Sequence, residues 1–272
     1  MKRYIAEFIA AFFLVFVGTA AIVADQQETV TKLQSTIGTL GIALAFGLAL
    51  AVAIAAVGRI SGGHANPAVS IAFYIAKRLS LKDLGGYVAA QLLGGVVAAV
   101  VVKQIFPPDI VSSVGSGAPA LGQNITILQG GLIEVVLTFF LVFVIWGVAV
   151  DPKGPKILAP LAIGLTIAFD VIVGSSSTGA AMNPARWFGP ALLGEQLNSN
   201  WPVWVLGPIV GALIASTAYE LFFLDPEEEV TVDDLEDLEP RAPEFLTPTP
   251  LESAAEDAAR ASSDDESPGS PA

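Results

Sequence analysis

The sequence predicts an all-α membrane protein with six transmembrane helices, two half-helices from re-entrant Asn-Pro-Ala loops, and an inverted internal repeat. Three observations predict it. The chain has 272 residues, of which 53% are hydrophobic and only 14% charged, where a soluble domain carries roughly a quarter charged residues. Six apolar runs divide it. The motif Asn-Pro-Ala occurs twice, at Asn66 and Asn183, 117 residues apart.

The runs cover about 4–24, 37–57, 85–102, 131–150, 157–174 and 203–224. Crossing the bilayer core takes about 20 helical residues, and each run comes near that length. The first opens "MKRYIAEF", like a signal peptide, but Glu7 is unfavourable in the apolar stretch of one, so the run is read as the first span. With the N-terminus inside, the cytoplasmic segments hold Lys2, Arg3, Arg59, Lys77, Arg78, Lys82, Lys153 and Lys156. The outer loops hold Lys32 and Lys103, apart from Arg186 beside the second motif. This bias sets the orientation, with both termini cytoplasmic.

Charge divides the chain into two parts. The formal net charge is −13, yet residues 225–272 alone contain 16 acidic residues against Arg241 and Arg260. Residues 1–224 are therefore nearly neutral. They are read as the transmembrane domain, and 225–272 as an acidic, disordered cytoplasmic tail. There is no cysteine and one histidine, His64. Disulfides, thiolate metal sites and cysteine nucleophiles are excluded. No cofactor, metal or nucleic-acid partner is expected, and no nucleophile–base pair suggests an enzyme.

The two halves, about 1–103 and 128–224, resemble each other. "EFIAAFFLVFV" from Glu7 aligns with "EVVLTFFLVFV" from Glu134, with seven of eleven positions identical. "AFGL" at Ala45 and "AIGL" at Ala162, the two motifs, and "YVAAQLLGG" from Tyr87 against "WVLGPIVGA" from Trp204 all share the 117-residue offset. Three spans per half is an odd number, so the second half enters from the opposite face. That makes an inverted repeat about an axis in the membrane plane.

The motif carries the chemistry. Asn is a preferred helix N-cap and Pro suits the first helical position, so Asn66-Pro67-Ala68 and Asn183-Pro184-Ala185 each start a helix. The ten residues "PAVSIAFYIA" after Asn66 make about 15 Å of helix, half of a ~30 Å core. Two such half-helices would meet at their N-termini and make one pseudo-span. Each Asn oxygen would cap its own helix and leave the amide NH₂ pointing ahead, while both dipoles present positive ends to one point. Such a site favours water and repels cations.

These residues resemble the aquaporin and glycerol-facilitator family, the major intrinsic proteins, as a prokaryotic member. "SGGHANPAVS", "TGAAMNPARWFGPAL" and the repeated Glu carry the resemblance, over about residues 1–224. It implies a passive channel in the cell membrane, a homotetramer with one pore per subunit, and a filter outside the motifs. Counted from the two Asn residues, the filter positions are Phe46, Val171, Ala180 and Arg186. Strict water channels similar to this chain usually have His where Val171 stands, and often Cys where Ala180 stands. Glycerol facilitators usually present two aromatics and an Asp after the filter Arg, where this chain has Trp187. The filter fits neither subgroup. Water is the expected permeant, with glycerol, ammonia and urea as open candidates.

Glu7 and Glu134, in the resemblance, accept hydrogen bonds from the motif loops, with a proton relay as the alternative role for such buried carboxylates. His64 either lines the cytoplasmic pore or binds loop backbone. Asp170 faces either the outer vestibule or a subunit contact. Gly94, Gly95, Gly207 and Gly211 are expected to allow close helix packing. The main alternative is a secondary transporter, which shares the inverted-repeat architecture but needs coupling groups at the midplane.

Overall fold

The computed structural model describes residues 1–31 and 37–224; Lys32 and the acidic tail lie outside the described residues. In chain order the helices are α1 (Lys2–Thr31), α2 (Gly38–Ser61), α3 (Pro67–Ile75), α4 (Leu81–Ile105), α5 (Pro108–Ser113), α6 (Ile127–Ile145), α7 (Ala159–Thr178), α8 (Pro184–Leu193) and α9 (Pro202–Phe222). Among the described residues, six helical segments are long and apolar enough to cross a membrane: α1, α2, α4, α6 with the π-helical turn Trp146–Val150, α7 with its leading 3₁₀ turn, and α9.

The surface is apolar and the interior carries polar groups. On α2, Leu40, Leu44, Leu48 and Val52 are exposed at four-residue spacing, a stripe that suits lipid. Inside, Glu7, Gln91, Glu134 and Asp170 are fully buried, and Asn66, Asn183 and Arg186 nearly so.

Local signals fix the boundaries. α2 ends on Gly62 (φ 94°) and α7 on Gly179 (φ 80°), both left-handed caps and 117 residues apart. Glycine adopts this conformation without the cost a Cβ imposes. Ser80 caps α4 by accepting from the Asp83 N–H, and Thr126 with Gln129 forms a capping box on α6. α1 runs seven residues past the expected end at 24, to Thr31. Asp25, in that extension, accepts from the Gly38 N–H at 2.7 Å and so ties α1 to the start of α2.

The repeat is visible in the packing. α1 packs on α2 and α4, and α6 packs on α7 and α9. The halves join where α2 crosses α7. A Cβ on Gly47 would lie 2.4 Å from the Gly164 carbonyl oxygen, and one on Gly164 would lie 2.4 Å from that of Gly47. This reciprocal backbone approach tolerates only glycine at both positions. The short helices cross over, with α3 against α9 and α8 against α4. Gly94, Gly95, Gly207 and Gly211 all sit at such approaches: added Cβ atoms would lie 2.5 Å from Phe8 O, 2.5 Å from Ala185 O, 2.9 Å from Glu134 Cβ and 2.3 Å from Val135 O.

Candidate pore and filter

α3 and α8 begin where Asn-Pro-Ala predicts. Asn66 and Asn183 are extended N-caps (φ −151° and −155°), with Pro67 and Pro184 at the first helical position. Asn66 Oδ1 accepts from the Ala68 N–H at 2.9 Å. Asn183 Oδ1 accepts from the N–H groups of Ala185 at 2.9 Å and Arg186 at 3.3 Å. The amides depart from the sequence expectation. Asn66 Nδ2 donates to the Met182 carbonyl and Asn183 Nδ2 to the Ala65 carbonyl, both at 2.8 Å. One N–H of each amide thus ties the two loops together, because the carbonyls before each Asn turn towards the other loop. An amide NH₂ has two donors, so a second N–H remains on each. The helices consequently meet N-terminus to N-terminus, with their positive ends together.

The loops hang on two buried carboxylates. Glu7 accepts from Ser61 Oγ (2.6 Å), His64 N–H (3.0 Å), Ala65 N–H (2.7 Å) and Gln91 Nε2 (2.7 Å). Glu134 accepts from Thr178 Oγ1 (2.6 Å), Ala181 N–H (2.9 Å) and Met182 N–H (2.6 Å). The loops need this support because Ala65, Ala180 and Met182 hold φ between 46° and 52°, left-handed values that are costly for residues with a Cβ. Tyr87 OH donates to the Ser61 carbonyl, and Trp204 Nε1 donates to the Thr178 carbonyl, again 117 residues on.

Two cavities flank this junction. One, of about 350 Å³, is lined by Phe46, Val171, Arg186, Gly117 and Gly179 among others. Three of the four expected filter residues therefore meet. Ala180, the fourth, is buried directly after Gly179, beside Gly174. The Arg186 guanidinium lies over the Phe46 ring, 4.6 Å from its centroid, and Nη1 donates to the Gly117 carbonyl at 2.8 Å. The other cavity, about 70 Å³, is lined by His64, Val69, Phe73, Ile163 and both motif asparagines. His64 Nδ1 is 3.0 Å from Ser70 Oγ, and the ring packs on Phe73 and Tyr87. His64 thus both lines a cavity and gives its backbone N–H to Glu7.

Asp170 differs from either expectation. It is fully buried within the chain, and neither carboxylate oxygen has a hydrogen-bond partner among the described residues. It faces neither a vestibule nor a subunit surface, because the helical turn that presents Val171 to the cavity directs its neighbour into the bundle. Several supports were not singled out from the sequence. Ser61 and Thr178 are small hydroxyl residues in register, and Tyr87 and Trp204 open the third aligned segment, so the 117-residue offset could have found them. Gly117 lies in the connection between the halves, outside the repeat, and had no such signal.

Six membrane-length helices around two short helices joined at their N-termini define a protein of the channel class. The chain belongs to the major intrinsic protein family: the family model "Major intrinsic protein" matches residues 1–219. It is 40% identical over 236 residues to Aquaporin AqpM of Methanothermobacter thermautotrophicus, covering 80% of this chain and 96% of that one. It is 40% identical over 222 residues to Glycerol uptake facilitator protein-like 6 of Lactiplantibacillus plantarum, covering 79% and 95%. The solved aquaglyceroporin from Plasmodium falciparum superposes with a TM-score of 0.71 at 26% identity, covering 80% of this chain and 95% of that one. Members of this family are channels, and the chain is a membrane channel rather than an enzyme.

Proposed function

We propose that the chain conducts water and small neutral solutes passively and excludes protons and ions. The path runs from the Arg186 cavity, past Asn66 and Asn183, to the His64 cavity. Phe46, Val171, Ala180 and Arg186 form its filter. The observation that carries this reading is the junction of the two motif helices, where both asparagines line a cavity and keep one N–H each free of the loop-to-loop tie. Water passing there offers its oxygen to these donors and turns its hydrogens away from them. Arg186 and the helix N-termini add positive potential, which is the general logic of aquaporin-type selectivity. Val171 supplies an aliphatic wall, which leaves room for solutes such as glycerol, ammonia or urea.

Glu7 and Glu134 act as loop supports: each accepts two backbone N–H groups of its motif loop, and its other donors come from the flanking helices. The relatives include an aquaporin and a glycerol uptake facilitator, and the transporter alternative gains no support from them. The assembly in this reading is a homotetramer in the cell membrane with both termini cytoplasmic; the apolar stripe on α2 supports the membrane setting and the Lys and Arg bias the orientation. The test is stopped-flow light scattering on proteoliposomes of the full chain. Water flux well above that of empty vesicles, with low activation energy and no saturation, is expected. Saturable or gradient-coupled uptake would favour a transporter instead.

A further inference from the structure

We propose that Gly18 of α1 is a positioning residue for the filter: its missing side chain forms the notch that holds the Phe46 ring back, and so sets the size of solute that passes. This inference rests on the channel reading above and names a determinant that the filter residues themselves do not include.

A Cβ on Gly18 would lie 1.9 Å from Phe46 Cε1, 2.1 Å from Cδ1 and 2.3 Å from Cζ. One edge of the ring therefore occupies space that any other side chain would fill. Arg186 lies over the face of the same ring, and both residues line the outer cavity. A ring displaced from α1 has the guanidinium or the cavity as its destination. Either movement narrows the passage. Glycine inside a helix costs about 0.5–1 kcal/mol relative to alanine, so its place in a membrane helix needs a reason such as this approach.

The next residue of α1 backs the other half of the filter. A Cβ on Gly117 would lie 2.7 Å from Thr19 Cγ2, and the Gly117 carbonyl accepts from Arg186 Nη1. Consecutive residues of α1 thus stand behind the aromatic and behind the anchor of the arginine. Solutes larger than water, of glycerol or urea size, are the ones sensitive to this wall.

The experiment compares wild type, Gly18→Ala, Phe46→Ala and the double variant in proteoliposomes, with water, glycerol and urea as probes. Wild type should pass water and at least one of the two solutes. Gly18→Ala should lower permeability to that solute at least ~tenfold and water no more than ~threefold, because pore diameter sets the cut-off. In the Phe46→Ala background, Gly18→Ala should change neither flux, since no ring remains to be displaced. If the single variant does not insert, the double variant should insert and conduct as Phe46→Ala does. An unchanged solute-to-water ratio, an equal effect in both backgrounds, or a double variant recovered no better than the single would overturn the inference. So would a wild type that passes water but neither solute, which leaves the channel reading intact. A wild type that passes none of the three would overturn the channel reading itself.

Discussion

In the first half, Glu7 takes four donors and the motif loop sits in a polar setting, where Ser70 Oγ meets His64 Nδ1 at 3.0 Å and Gln91 Nε2 at 2.9 Å. In the second half, Glu134 takes three donors, and the residues equivalent to His64, Ser70 and Gln91 are Ala181, Trp187 and Pro208. There the loop is backed by apolar packing: Trp187 stacks on Trp204 at 5.8 Å with an interplanar angle of 12°. The equivalent of Arg186 is Val69, which lines the other cavity. The backbone geometry is thus duplicated while the side chains have diverged. The two jobs separate accordingly. The shared skeleton makes the junction, and the unshared residues give one end a cation and the other a histidine.

Breaking the shared skeleton should have the largest effects, of similar size in both halves. Glu7→Leu or Glu134→Leu orphans three or four buried donors at once, each at about 1–3 kcal/mol. Neither variant should give a thermally stable, inserted protein, as read by melting in detergent. A stable Glu134→Leu protein would mean that the Trp187–Trp204 packing holds the second loop by itself.

A smaller, symmetric loss is expected from Asn66→Ala and Asn183→Ala. Each removes one cap and one loop-to-loop bond, together about 2 kcal/mol. The two melting temperatures should fall by similar amounts, and a one-sided loss would break the equivalence of the two ties. A loss of comparable size should come from Gly47→Ala and Gly164→Ala, which force the α2–α7 crossing apart at a cost of about 1–3 kcal/mol. The cost should again be equal on both sides, because each Cβ would meet the other glycine's carbonyl at 2.4 Å.

Most of this skeleton was legible because it obeys local rules. Asn-Pro starts a helix wherever it stands, glycine ends one, and a constant offset reveals the repeat. The amide ties between Asn66 and Met182, and between Asn183 and Ala65, were not legible. They depend on which way two left-handed loop residues turn their carbonyls, and no residue type announces that. Gly117 as the anchor of Arg186 was equally silent, since any residue offers a carbonyl and only the tertiary fold brings this one near. Asp170 was visible as a charge, but its direction was decided by helix rotation. The structure gives its full burial.

The most direct test of the division between the halves is proton flux into proteoliposomes carrying a pH-sensitive dye, for wild type and Arg186→Val. That substitution gives the second half the residue the first half already has at this place. Wild type should pass water without measurable proton leak. Arg186→Val should keep water permeability within about threefold and admit protons or larger solutes, because the cation that guards the filter is gone. Unchanged proton exclusion and unchanged solute selectivity in that variant would contradict the account, and would move selectivity to the shared asparagine junction.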